Sequence, residues 1–355
     1  MAEVKPFRAV RYGDAAGPLE ALVAPPYDVI SPEQREELEA RSPYNVVHLT
    51  LPDDEAEAGR LWLDWQRDEI LIAQDEPSAY WLSQDYVGPD GVARTREGLV
   101  AALRVEPYVN RVILPHERTH RGPKEGRLRL LREVPAQLEP LFFLYEGEPP
   151  ARRPEADPDL EADGARLWRL SLDANSIADA FAERQLLIAD GHHRYETALV
   201  FPESDYVLAV LVSLEDPGLM IFPTHRVFEG EPAESLPIQD RLADPESALR
   251  ALEELPRGRA AAVVYRNGEA ELAVDGEGEL DVGLVDRLGH EGISYTPDWQ
   301  QAVRAVDDGH AAVAVLMRPT RIEDVFAVAQ RGETMPQKST YFYPKLVSGL
   351  LFLPL

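Results

Sequence analysis

Residues 186–201 read LLIADGHHRYETALVF. The apolar run LLIA predicts a short buried strand, Asp190-Gly191 a tight turn, and the ten residues after it a helix. A strand that turns on one glycine into a helix needs a sheet on one side and a packed layer on the other, so this stretch constrains the fold more than any other. It also has chemical content. The free N–H groups of the first helical turn aim at one point, and the helix dipole adds roughly half a positive charge there, which together make a site for an anion. Arg194 adds a guanidinium worth about 1.5–3 kcal/mol per charged hydrogen bond, and His192 and His193 can donate to or protonate an oxygen. Asp190 is placed to cap the helix, orient a histidine or hold Mg²⁺. Adjacent histidines on a helix point about 100° apart, so His192 and His193 make a poor chelate for a single metal. A plain Asp-Gly turn with incidental histidines remains the alternative to a ligand site.

The rest of the pattern predicts a mixed architecture. Ser31-Pro32-Glu33-Gln34 carries an N-cap, a proline at the first helical position and a capping-box glutamine, which predicts a helix over 32–41. NVVHLTL then reads as a strand, 55–73 as a second helix, and the stretch around Asp90-Gly91 as a β-hairpin. Segments 146–158 and 228–247, rich in Pro, Glu and Asp, read as loops or lobe boundaries. After 248 helices and strands alternate. The expected fold class is α+β, divided into an N-terminal lobe (1–148) with a basic segment at 111–132, a core (149–230) holding the Asp-Gly turn, and a C-terminal lobe (231–355).

Three further stretches carry candidate chemistry. Between Arg111 and Arg132 seven Lys and Arg stand against two acids, in a chain whose net charge is −27. Charges beyond about 8 Å are largely screened, so a ligand there feels the local surplus more than the total. Arg118, Arg121 and Lys124 are its candidate phosphate contacts. Glu117, set in that positive field, is expected to stay ionised and serve as a base or ligand; a solvated basic helix face is the competing interpretation. In GETMPQKSTYFYPKL (332–346), Gln337 and Pro336 break any P-loop, but Lys338, Ser339 and Thr340 remain candidate donors to a phosphate or a carboxylate. In VAPPYDVISPEQ (23–34), Asp28 precedes a helix start and is a candidate cap, Mg²⁺ ligand or proton acceptor.

Composition excludes several functions. The chain has no cysteine, so disulfides, thiolate metal sites and cysteine nucleophiles are ruled out. The charge argues against nonspecific binding to nucleic acid or to an anionic membrane. The longest apolar run, 311–317, is far short of the roughly 18 residues a membrane span needs, and no secretory signal is read at the start, so a cytoplasmic location is expected.

KPFRAVR, APPYDVIS, HERT with its basic continuation, ADGHHRYETA and MPQKSTYFYPKL, in this order, resemble the blocks of a bacterial and archaeal family known as domain of unknown function 1015. The likeness extends over nearly the whole chain. Asp190, Gly191, His192, His193 and Arg194 also look like the phosphate-binding box of the ParB/sulfiredoxin superfamily, which includes free serine kinases. That resemblance implies a ParB/sulfiredoxin-like core elaborated by further lobes, and a nucleotide-dependent phosphotransfer with free L-serine as a suggested acceptor. His-His-Arg replaces the Glu-Arg-Arg of partition proteins, and no helix-turn-helix is evident, so a chromosome-partition role is not expected.

The combined expectation is a small-molecule kinase using ATP or ADP with Mg²⁺. In it the turn cradles phosphates, Arg118, Arg121, Lys124 and Lys338 neutralise charge, and Glu117, Asp28 or His193 handles the proton. Arg194→Ala is expected to weaken nucleotide binding and leave the fold intact. A non-catalytic nucleotide sensor, or a phosphatase acting on a phosphoester such as phosphoserine, fits the same residues.

Overall fold

The computed structural model describes residues 1–117, 121–171, 174–277 and 280–355, with the side chains of 121–123 and 277 left out. The fold is α+β. Among the described residues nine strands form one mixed sheet, in which Leu186–Asp190 lies between Ile113–Leu114, parallel to it, and Leu141–Tyr145, antiparallel. Tyr206–Ser213, Ala93–Arg104, Ala79–Val87, Ala165–Leu170 and Leu160–Ala162 follow in order, and Val4–Lys5 pairs beside Ala93–Arg104.

Leu141–Tyr145 and nearly all of Tyr206–Ser213 are apolar because both faces of the sheet are covered there. Side chains alternate along a strand, so Phe142 and Leu144 enter one cluster while Leu141, Phe143 and Tyr145 enter another. Ile177 and Phe181 of helix Ala174–Phe181, with Tyr195 and Ala198 of helix His192–Val200, close the second face. The first face is closed by C-terminal residues such as Leu346, Leu350 and Leu351, and its cluster runs on into a second sheet.

That second sheet is antiparallel and six-stranded among the described residues, in the order Ile238–Leu242, Glu269–Glu277, Arg259–Arg266, Val313–Leu316, His225–Phe228, Ile293–Thr296. The same alternation splits its central strand. Ala261, Val263 and Tyr265 pack with Ala248 and Leu252 of helix Pro245–Glu254 and Ala302 of helix Trp299–Asp307, whereas Ala260, Ala262 and Val264 share the cluster that reaches the first sheet.

The helix over 32–41 forms as Pro32–Arg41 with both capping-box hydrogen bonds present. Three expectations are corrected. NVVHLTL holds a short helix, Val47–Thr50, because the Asn45 side chain accepts the Val47 N–H at 3.0 Å while donating to the Ala21 and Val23 carbonyls. The second helix stops at Arg67, since Glu69 takes a left-handed φ of 58°, and Leu71–Ala73 turns back to pair with Val10–Tyr12. Finally, 238–242 is an edge strand rather than loop; almost all of it is exposed, so it carries no apolar alternation to be read.

Candidate functional site

The Asp190-Gly191 turn depends on two backbone features. A register shift between Ile188 and Asp190 breaks the ladder just before the turn, and Gly191 then adopts a φ of 96°. A Cβ at that position would be strained, and would sit 3.1 Å from the Leu141 side chain and 3.2 Å from the Arg194 guanidinium, so only glycine fits. Helix His192–Val200 starts immediately afterwards. Asp54, Asp244 and Asp298 cap their helices with side chains, but no side chain caps this one.

Asp190 sits beneath that helix start. Lys345 Nζ donates to its Oδ1 and Arg194 Nη2 donates to its Oδ2 at 3.1 Å. Burial alone would raise the carboxyl, yet Lys345 and Arg194 together outweigh it and hold the group down to about 2. Arg194 also donates through Nη1 to the Pro140 carbonyl at 2.7 Å and is only 8% exposed. It is therefore a strut beneath the turn more than a grip on a ligand. Its position four residues after Asp190 on the sheet-facing side of the helix accounts for this.

Above the turn lies a cavity of about 300 Å³. Asp190 to Arg194 form its base, Tyr27 and Asp28 come from the N-terminal loop, Glu117 from the segment after strand Ile113–Leu114, and Lys338, Thr340 and Lys345 from the C-terminal stretch. Tyr295 and Thr296, from an edge strand of the six-stranded sheet, complete the wall. Residues far apart in the chain thus meet at one place.

Two imidazoles are packed beside the base. His116 is fully buried, and its ring lies edge-on to that of His192 with centroids 4.7 Å apart. Burial pushes His116 down to about 4 and His192 well below its ordinary value, so both are neutral at physiological pH. The tautomers follow from the partners. His116 Nδ1–H donates to the Ile188 carbonyl at 2.7 Å, which leaves Nε2 to accept from Thr340 Oγ at 2.9 Å, while the His116 backbone N–H donates to His192 Nε2 at 3.4 Å.

Glu117 reverses the expectation of a carboxylate kept ionised by a positive field. Burial pushes its carboxyl up, and Lys338 only moderates the effect; its Oε1 accepts the Lys338 backbone N–H at 3.4 Å.

Of the other candidates, Asp28 and Lys338 are exposed and line the cavity, as does half-buried His193. Ser339 does not line it, since its hydroxyl donates to the Pro336 carbonyl at 2.5 Å and the residue is buried. Lys124 pairs with Glu196 at 2.7 Å, on the second turn of the same helix and away from the cavity lining. Arg118 lies outside the described residues, and Arg121 opens helix Arg121–Glu133 with a side chain that is not described. Asp190 does not fit a Mg²⁺ ligand, because each of its oxygens already faces a cation. Among the described residues no group of three or more His, Asp or Glu could hold a metal ion.

Sequence reasoning missed Lys345, the counter-ion of Asp190. A signal existed: the chain has only four lysines, and two of them line this cavity. Tyr27, Tyr295 and Thr296 were missed as well.

No curated protein matches the chain. Among solved structures it is similar to "Free serine kinase in complex with AMP", at 14% identity and a TM-score of 0.43, covering 71% of this chain and 92% of that one. A conserved hypothetical protein from Pyrococcus furiosus matches at 15% identity and a TM-score of 0.41, covering 71% and 95%. SbnI with a C-terminal truncation, from Staphylococcus aureus, matches at 13% and 0.42, covering 72% and 87%. Residues 4–282 match the family described as "Protein of unknown function (DUF1015)", and the chain belongs to that family.

Proposed function

We propose that this protein is a cytoplasmic phosphotransferase that moves the terminal phosphoryl group of ATP or ADP to the hydroxyl of a small metabolite, with free L-serine the first acceptor to test. One observation carries the proposal: an uncapped helix start and two lysines share a small cavity with two carboxylates of opposite proton affinity. Environments that push neighbouring titratable groups apart assign acid–base roles. The likeness of residues 190–194 to the phosphate-binding box of the ParB/sulfiredoxin superfamily supports the same reading.

The cavity size suits a small ligand rather than a polymer. Phosphates lie on the first turn of helix His192–Val200, where N–H groups and the dipole favour anions. Lys338 approaches from the C-terminal stretch and neutralises charge on the transferred group, and His193 approaches from the helix as a hydrogen-bond donor to it. Lys345 stays bound to Asp190 and keeps the base of the cavity electrically balanced. Glu117, whose burial raises its proton affinity, accepts the proton from the attacking hydroxyl, with exposed Asp28 the second acid at the cavity. Magnesium would arrive on the nucleotide phosphates, since Asp190 is committed to cations.

The test is phosphorus NMR of the protein with ATP or ADP, Mg²⁺ and a panel of small hydroxy acids that includes L-serine. A new phosphoester resonance is expected. Nucleotide binding without any new resonance would identify a sensor instead, and absence of binding would remove the phosphate site altogether.

A further inference from the structure

Thr340 and His116 form a hydroxyl–imidazole pair that phosphotransfer to a small acceptor does not require. Thr340 Oγ lies 2.9 Å from His116 Nε2, and His116 Nδ1 lies 2.7 Å from the Ile188 carbonyl oxygen. A carbonyl only accepts, so Nδ1 carries the hydrogen, the lone pair of Nε2 faces the hydroxyl, and Thr340 is the donor. A nucleophile within hydrogen-bond reach of a base that a third group orients is the arrangement expected of an activated hydroxyl. Three elements fix it: the middle of strand Leu186–Asp190, the segment after strand Ile113–Leu114, and the C-terminal stretch. Thr340 lines the cavity, and His116 packs edge-on against His192, the first residue of the uncapped helix.

We infer that Thr340 is a site of covalent self-phosphorylation, its hydroxyl attacking the terminal phosphorus of a bound nucleoside di- or triphosphate with His116 as proton acceptor. The inference rests on the nucleotide reading above. In the step a bond forms between Thr340 Oγ and phosphorus, and the bond from that phosphorus to the bridging oxygen breaks. The nucleotide one phosphate shorter leaves with the electron pair, and the hydroxyl proton passes to His116 Nε2. Because burial keeps the imidazole neutral, its lone pair is available at physiological pH. The phosphothreonine brings a charge of about −2 among the cationic groups of the same cavity, which offsets the cost of a buried imidazolium.

The experiment is intact-protein and peptide mass spectrometry of the full chain after incubation with Mg²⁺ and ATP, and separately with Mg²⁺ and ADP. Addition of one phosphoryl group at Thr340 is expected, lost in Thr340→Val and retained in Thr340→Ser. His116→Gln should slow it by about 10²-fold or more while nucleotide affinity stays within twofold of the parent. Thermal melts of each variant separate loss of the hydroxyl from loss of the fold. Unmodified parent protein, a phosphate on another residue, or modification that persists in Thr340→Val would overturn the inference. A small-molecule phosphoester in the NMR experiment alongside unmodified protein would overturn only this inference, whereas phosphothreonine without any such product would overturn only the acceptor assignment.

Discussion

At the base of the cavity Asp190 is closed in by Lys345 and Arg194 and is held down to about 2; on the wall Glu117 meets one backbone N–H, and burial pushes it up. Both carboxyls are removed from water. They differ in how many cations touch them, and Asp190 shows that two direct ion pairs can more than reverse the desolvation that dominates at Glu117. One cavity thereby holds a permanent anion beside a group able to take a proton.

The most severe way to break this contrast is Lys345→Met, which leaves Asp190 with a single cation. It is expected to destabilise the fold by about 3–5 kcal/mol in urea denaturation, with much of the loss recovered when Asp190→Asn is added. Next comes Arg194→Ala. Its charged hydrogen bonds to Asp190 and Pro140 predict a loss of about 1.5–3 kcal/mol in stability, in place of the intact fold that the sequence suggested. Equal stability of variant and parent would return Arg194 to the ligand.

Acid titration sharpens the contrast further. The folded value of Asp190 lies below its ordinary 3.8, so its contribution, about 2 kcal/mol, is complete above pH 3.8 and lost as pH falls towards 2. Glu117 has the opposite sign: its contribution is present below its ordinary 4.5 and lost as pH rises through the raised folded value. Urea midpoints across pH should therefore lose the acid-side drop in Asp190→Asn and the higher-pH decline in Glu117→Gln. The smallest effect belongs to Lys124→Ala, whose partly exposed pair with Glu196 is worth less than about 1 kcal/mol. Calorimetry should find its nucleotide affinity unchanged.

The Asp190-Gly191 turn was legible because its geometry is local: an apolar run, a glycine that alone tolerates the turn, and a helical stretch within a few residues. What the turn binds to was not. Lys345 reaches Asp190 from 155 residues away, and no periodicity encodes that pairing. Arg194 was correctly placed on the helix, but its direction depends on the Pro140 carbonyl, which only the packed sheet supplies. For Glu117 the nearby charges were legible and its burial was not, so the direction of its shift came out reversed. The strand expected at NVVHLTL failed for a related reason: the Asn45 amide, a single side chain, outweighs three β-branched residues, Val46, Val47 and Thr50.

Lys345 belongs to a C-terminal stretch that also pairs Ser348 with Ala24, Phe352 with Val10, and Leu353–Pro354 with Ala136–Gln137. During synthesis on the ribosome Asp190 therefore emerges long before its main counter-ion. At about 5–20 residues per second, that interval is on the order of ten to thirty seconds. Over that time the carboxylate at the base of the future binding site has only Arg194 beside it, and the cavity is completed once the segment that carries Lys345 has been translated.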